Sequence, residues 1–117
     1  MNDLENRCLD FAVDVRLLIK KLDRTISNIE DSKQVVRSSG SIGANYIEAN
    51  ESLGDKDKLM RLRISRKESK ETIYWLSILN RINENHNAEI QKLLNEAVEL
   101  RKILSSIILK LENKSNQ

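Results

Sequence analysis

Proline is absent from this 117-residue chain, glycine occurs only at Gly40, Gly43 and Gly54, and the aromatics are Phe11, Tyr46, Tyr74 and Trp75. A β-sandwich or barrel needs turn residues roughly every 8–12 positions and many β-branched and aromatic residues. An all-β fold is therefore excluded and an all-α one expected. The single cysteine, Cys8, cannot form an intramolecular disulfide, which fits a reducing compartment. With one cysteine and one histidine, His86, the usual Cys/His zinc cluster is excluded. Asn83 stands three residues before His86, so the Glu-x-x-His pair of a di-iron bundle is absent as well. No apolar run approaches the roughly 20 residues that span a bilayer. The acidic start, Met1 to Glu5, is followed by no apolar stretch, which predicts no signal peptide. These absences predict a cytoplasmic chain with no membrane association, no metal and no cofactor.

Catalytic patterns are missing too. Gly40-Ser41-Ile42-Gly43 lacks the lysine and the spacing of a phosphate-binding loop. No nucleophile is set on a strand-turn-helix, and no triad is evident. Cys8 lies in an apolar seam and reads as a small buried hydrophobe, and His86 as a solvated or capping residue. No catalytic residue or small-molecule substrate is assigned, and the expectation is a protein that is not an enzyme.

What is present is helical periodicity. Hydrophobic residues make up 39% of the chain and charged ones 32%, a mixture suited to a folded soluble domain. Leu4, Cys8, Phe11, Val15, Leu18 and Leu22 step by 4, 3, 4, 3, 4 along one helical face. Asn2 and Glu5 have the spacing of a capping box at its start, and Ser27 and Glu30 repeat that spacing. The next seam is Val35, Ser39, Ile42, Tyr46, Ala49 and Leu53. Its phase holds across Gly40 and Gly43, which predicts one continuous helix whose small-residue strip admits a close neighbour. Gly54 suits a C-terminal cap and Asp55 an N-terminal one.

The third helix carries two apolar arcs, Leu62, Ile73, Leu76 and Leu79 on one and Ile64, Trp75, Ile78 and Ile82 on the other. One arc suffices for a bundle core, so the second is assigned to an oligomer interface. A last seam runs Ile90, Leu93, Ala97, Leu100, Leu104, Ile107 and Leu111, and the tail from Asn113 to Gln117 is expected to fray. The prediction is one domain, an antiparallel up-down-up-down four-helix bundle roughly 30–40 Å long, with helices at about 3–23, 28–53, 55–82 and 87–112.

Two polar features remain. Arg37, Ser41, Asn45 and Glu48 form one stripe of the second helix, and Glu68 and Glu71 fall within the tryptophan arc of the third. These six are read either as a solvated face or as a partly buried network that fixes register. Charge supplies the second feature. The net charge is only +2, yet Lys56 to Lys70 contains seven basic and two acidic residues. Lys56, Arg63, Lys67 and Lys70 share one helical face, and Tyr74 continues it. Such a stripe can be an ordinary solvated face or can track a phosphate backbone.

The run Gln34-Val-Val-Arg-Ser-Ser-Gly-Ser-Ile-Gly-Ala-Asn-Tyr-Ile-Glu-Ala49, followed by Arg66-Lys-Glu-Ser-Lys-Glu-Thr-Ile-Tyr-Trp-Leu76, resembles the small bacterial four-helix bundle proteins encoded in intervening sequences of 23S ribosomal RNA genes. The resemblance extends over nearly the whole chain. It implies an antiparallel four-helix bundle assembled with copies of itself into a five-fold ring, and RNA binding is the usual suggestion for such proteins. A more distant similarity is to the accessory protein of diversity-generating retroelements, a basic pentameric bundle that engages a reverse transcriptase and nucleic acid. The polar signature implied by the resemblance falls on Arg37, Ser41, Asn45, Glu48, Glu68 and Glu71, and its aromatic pair on Tyr74 and Trp75. The expected function is thus a non-enzymatic homo-oligomer, a pentamer, that binds RNA through Lys56, Arg63, Lys67, Lys70 and Tyr74. The alternative is a protein–protein scaffold, or a reverse-transcriptase accessory-like protein, with no direct RNA role.

Overall fold

The computed structural model describes residues 1–115, which form α1 (Asp3–Ile19), α2 (Ile26–Asn50), α3 (Asp55–Ile82), a single 3₁₀ turn (Glu84–His86) and α4 (Asn87–Ser115). Helix α1 packs against α2 and α4, and α3 against the same two. The result is the expected up-down-up-down four-helix bundle. Its principal extents are 51 × 23 × 19 Å. It is longer than expected because α3 and α4 each run about 42–44 Å at 1.5 Å per residue, and the connections add to either end. Among the described residues, no helix is long and apolar enough to cross a membrane.

The capping box at α1 forms as its spacing predicts. The Asn2 side chain accepts the Glu5 backbone N–H, and the Glu5 carboxylate accepts that of Asn2, both at 2.8 Å. Four boundaries differ from expectation. Helix α1 stops at Ile19, not residue 23, because Lys21 and Leu22 donate to carbonyls three residues back and tighten the last turn. Leu22 is nonetheless buried, folded under the connection. Helix α2 starts two residues earlier than 28, because the Thr25 hydroxyl, not Ser27, accepts the Asn28 N–H at 3.1 Å. It ends at Asn50, not residue 53, and Leu53 is fully exposed at 102%, outside the seam it seemed to close by spacing.

The fourth boundary is that of α4, which continues past residue 112 to Ser115; Asn116 and Gln117, the rest of the tail expected to fray, lie outside the described residues. Gly54 does not cap α2 in a left-handed conformation. Its φ is −147°, and it serves as the N-cap of α3, with Asp55 and Asp57 in the first turn facing the positive end of the helix.

Glycine and serine set how closely α2 meets its neighbours. The helix is continuous through Gly40 and Gly43. A Cβ at Gly43 would lie 3.0 Å from Cys8 Cβ on α1. A Cβ at Gly40 would meet only the Arg16 guanidinium, at 3.2 Å, which donates to the Val36 carbonyl across the same gap. Toward α3, the contact is lined by Ser38, Ser39, Ser65, Ser69 and Thr72, all buried. The Ser65 hydroxyl donates to the Ile42 carbonyl across the interface at 2.7 Å. The Thr72 hydroxyl contacts the Glu68 carbonyl of its own helix and shares a 2.8 Å hydrogen bond with Ser38. Among the described residues, no buried side-chain polar atom lacks a partner.

At the end of α3, Asn28 and Asn83 exchange amide hydrogen bonds of 2.9 and 2.8 Å. Asn28 also donates to the Asp23 carbonyl and Asn83 to that of Leu79, so one amide pair satisfies two helix connections.

The two helical glycines should respond oppositely to alanine. Removing helical glycine gains up to about 1 kcal/mol. At Gly40 a flexible side chain can yield, and Gly40→Ala should stabilise by a part of that. At Gly43 the obstacle is the Cys8 Cβ, and Gly43→Ala should destabilise by about 1–3 kcal/mol. Urea denaturation of both variants measures the two signs.

Candidate functional site

Helix α3 lies across the bundle from α1, with one flank turned to α2 and the other to α4. The flank beside α2 gathers residues that sequence reasoning had put into separate groups. Arg37 from the polar stripe, Lys67, Lys70 and Tyr74 from the basic stripe, Glu71, and Trp75 from the apolar arc line one cleft of about 570 Å³, together with Gln34. Gln34 carried no motif of its own. It enters because it lies one turn before Arg37 on the face of α2 that borders α3.

The cleft is built on the close α2–α3 contact. Small side chains in the seam leave the longer ones to project from its margin. Trp75 is half-buried and packs against the core, so part of the second apolar arc is covered within its own chain. Tyr74 meets it edge to face, with ring centroids 5.1 Å apart and planes at 74°. Of the other members of that arc, Ile64 and Ile78 are half-buried and Ile82 is exposed.

The basic stripe divides. Arg63 turns to α4 and pairs with Glu112 at 2.7 Å. Lys56 lies in the first turn of α3, about 16 Å along the axis from Lys67. Among the described residues, none of Arg37, Lys56, Lys67 and Lys70 forms an ion pair within 4.0 Å. Arg61, which the stripe did not include, crosses to α2 and donates to the Asn45 side-chain oxygen Oδ1 at 3.3 Å.

The six-residue polar signature separates into two groups. Asn45 donates to the Ser41 carbonyl at 2.9 Å and receives Arg61, a hydrogen-bonded bridge between α2 and α3. Glu48 stays exposed. Further along, Glu68 and Glu71 are coupled. Burial pushes the Glu68 carboxyl above the usual carboxylate range, and the charge of Glu71 and a hydrogen bond with it act in the same direction, against the pull of Arg37 and Lys67. Glu71 lines the cleft together with Arg37, Lys67 and Lys70, so the site is electrostatically divided.

Cys8 is buried, and burial pushes its thiol up to about 11, which disfavours the thiolate that a nucleophile requires. His86 sits in the 3₁₀ turn between α3 and α4. Among the described residues, no group of three His, Cys, Asp or Glu side chains is arranged to hold a metal ion. A second groove, about 370 Å³, runs between α1 and α2 over Leu9, Val13, Gly40, Gly43, Ala44 and Ile47. Leu9, Val13 and the neighbouring Leu17 are 44–49% exposed. Sequence reasoning overlooked this row because the buried seam of the first helix satisfied its periodicity alone.

A carboxyl with a raised folded-state pKa binds its proton better folded than unfolded. Its contribution therefore favours folding at low pH and is lost as pH rises through the raised value. Glu68→Gln should raise the melting temperature at pH 7, and the difference should shrink as pH falls through the ordinary glutamate pKa of about 4.3. Thermal melts of both proteins across that range provide the check.

Residues 2–106 match the family described as 23S rRNA-intervening sequence protein. No curated protein matches the chain. Among solved structures, it is similar to a protein of unknown function from the S23 ribosomal protein family of Bacteroides thetaiotaomicron VPI-5482. The two are 34% identical with a TM-score of 0.79, over 90% of this chain and 97% of that one. The bundle thus has its counterpart in a solved structure, and the chain belongs to the 23S rRNA-intervening sequence protein family.

Proposed function

We propose that this protein is a non-catalytic, cytoplasmic RNA-binding bundle whose contact surface is the outer face of α3 with the adjoining margin of α2. The observation that carries this reading is the cleft in which Arg37, Lys67 and Lys70, free of ion pairs among the described residues, meet an exposed tyrosine. Phosphate contacts by such cations supply affinity through counterion release, and an aromatic ring adds a surface for a base. Lys56 extends the positive face toward the start of α3. Arg63 contributes less, because Glu112 already compensates its charge. Lys67→Glu combined with Lys70→Glu should weaken binding of a labelled RNA hairpin with single-stranded flanks at least tenfold, flatten its salt dependence and leave the melting temperature close to that of the parent. Fluorescence anisotropy across a salt series measures this. Parent protein that fails to bind the RNA, or a double variant that binds equally, would overturn the reading.

A second reading concerns self-association. The row Leu9, Val13 and Leu17 is a large apolar surface to leave in water, and Ile82 adds another exposed isoleucine on α3. We propose that copies of the chain associate through the α1 row, with the α3 flank of Ile64, Ile78 and Ile82 as the complementary surface, and that they close into a ring of five. Light scattering at micromolar concentration should give a pentamer mass, and Leu9→Lys with Val13→Lys should reduce it to that of one chain. A monomeric parent protein rules this out.

A further inference from the structure

The α2–α3 cleft supports a narrower statement about which RNA it takes, one that rests on the RNA-binding reading above. Tyr74 is 61% exposed, whereas Tyr46 and Phe11 are buried. It is not a loose side chain. Its edge-to-face contact with Trp75 braces it, and Trp75 is itself anchored on the core. A braced ring with an open face is the kind of surface on which an unpaired base stacks, and stacking is tolerant of base identity because every base has a π-face.

The cations are spaced around that ring. Lys70 lies one turn before Tyr74 and Lys67 two turns before it, about 6 and 10 Å along the axis. Arg37 faces them from α2 across the same cleft. That arrangement can hold the phosphates flanking one stacked nucleotide. Glu71, in the same lining, is a liability to a phosphate, yet a carboxylate accepts hydrogen bonds from the N–H groups of a base, as the Gln34 side-chain carbonyl can also do. A pocket for phosphate alone would gain nothing from an acid among its cations. Duplex RNA presents phosphates and 2′-hydroxyls but keeps its base faces stacked inside, so it could use the lysines and not the ring.

We propose that this cleft holds an unpaired nucleotide, with its base on Tyr74 and its flanking phosphates on Arg37, Lys67 and Lys70, so that the protein selects single-stranded loops or ends over duplex RNA. Trp75 is the only tryptophan and lines the cleft, so its fluorescence reports occupancy directly. The test titrates the full chain with a single-stranded RNA of about ten nucleotides and with a duplex of the same length at one salt concentration.

Occupancy predicts quenching of Trp75 by the single strand and an affinity at least tenfold above that for the duplex. Tyr74→Ala should lose about tenfold for the single strand and leave duplex binding unchanged, while Tyr74→Phe, which keeps the ring, should bind as the parent does. Equal affinity for the two RNAs, or a Tyr74→Ala variant that retains single-strand affinity, would overturn the unpaired-nucleotide site even where Lys67→Glu with Lys70→Glu weakens binding at least tenfold. Should that double variant bind like the parent, the cleft has no role in RNA contact and both readings fall.

Discussion

The spacing between α2 and its two neighbours governs the rest of this bundle. Helix axes in bundles stand 8–10 Å apart depending on the side chains at the contact. On α2 those side chains are small. Gly43 admits Cys8 from α1, and the hydroxyls of Ser38, Ser65 and Thr72 line the contact with α3. Small residues bury little apolar area, so this seam depends on hydrogen bonds that are fully made; a buried hydroxyl without a partner would cost about 1–3 kcal/mol. The seam therefore tolerates change poorly, and it displaces bulk to its margins. Arg37, Glu71 and Trp75 line the cleft for that reason.

Charge follows the same geometry. The chain is nearly balanced overall, and its surface is not. Helix α4 supplies acids to cations of other elements: Glu96 receives Arg7 with two 2.7 Å hydrogen bonds, Glu89 receives Lys21, and Glu112 receives Arg63. Each such pair at the surface contributes about 0–1 kcal/mol. Their larger effect is on the field outside. Acidic groups are paired on the α1–α4 and α3–α4 sides, and among the described residues Arg37, Lys67 and Lys70 beside α2 are left without an ion pair, with Glu68 and Glu71 as their nearby acids. On α3, Glu68 and Glu71 repel each other, an arrangement that detracts from stability at neutral pH and is common where a surface is shaped for contact.

Much of the fold was legible. Period, phase and the Asn2–Glu5 capping box located the helices. The seam of α1 reappears as buried residues except for half-buried Leu4, and that of α4 as far as Leu104, after which Ile108 is buried and Ile107 and Leu111 are half-buried. Leu53 fit its seam by spacing and is exposed, because the helix that would have carried it ends three residues earlier. Thr25 outcompeted Ser27 as a cap because the chain leaves α1 at Ile19, which puts Thr25 where the first orphan amides of α2 point. Serines 65 and 69 and Thr72 read as polar and are buried. A hydroxyl can be hidden wherever a backbone carbonyl lies within reach, and only the packed helices supply that carbonyl.

Sequence alone determined the number of helices, their amphipathic faces, the continuity of α2 through its glycines and the local excess of positive charge on α3. Those properties depend on residues within a few turns of one another. Tertiary structure decided which faces meet. It brought Gln34 and Arg37 to Lys67, Lys70 and Tyr74, diverted Arg63 to Glu112, half-covered Trp75 and left Leu9, Val13 and Leu17 in water. Periodicity assigns each side chain an angle about its own axis. Which neighbour lies at that angle is set by side-chain volumes at contacts between segments distant in the chain, and no single helix encodes that.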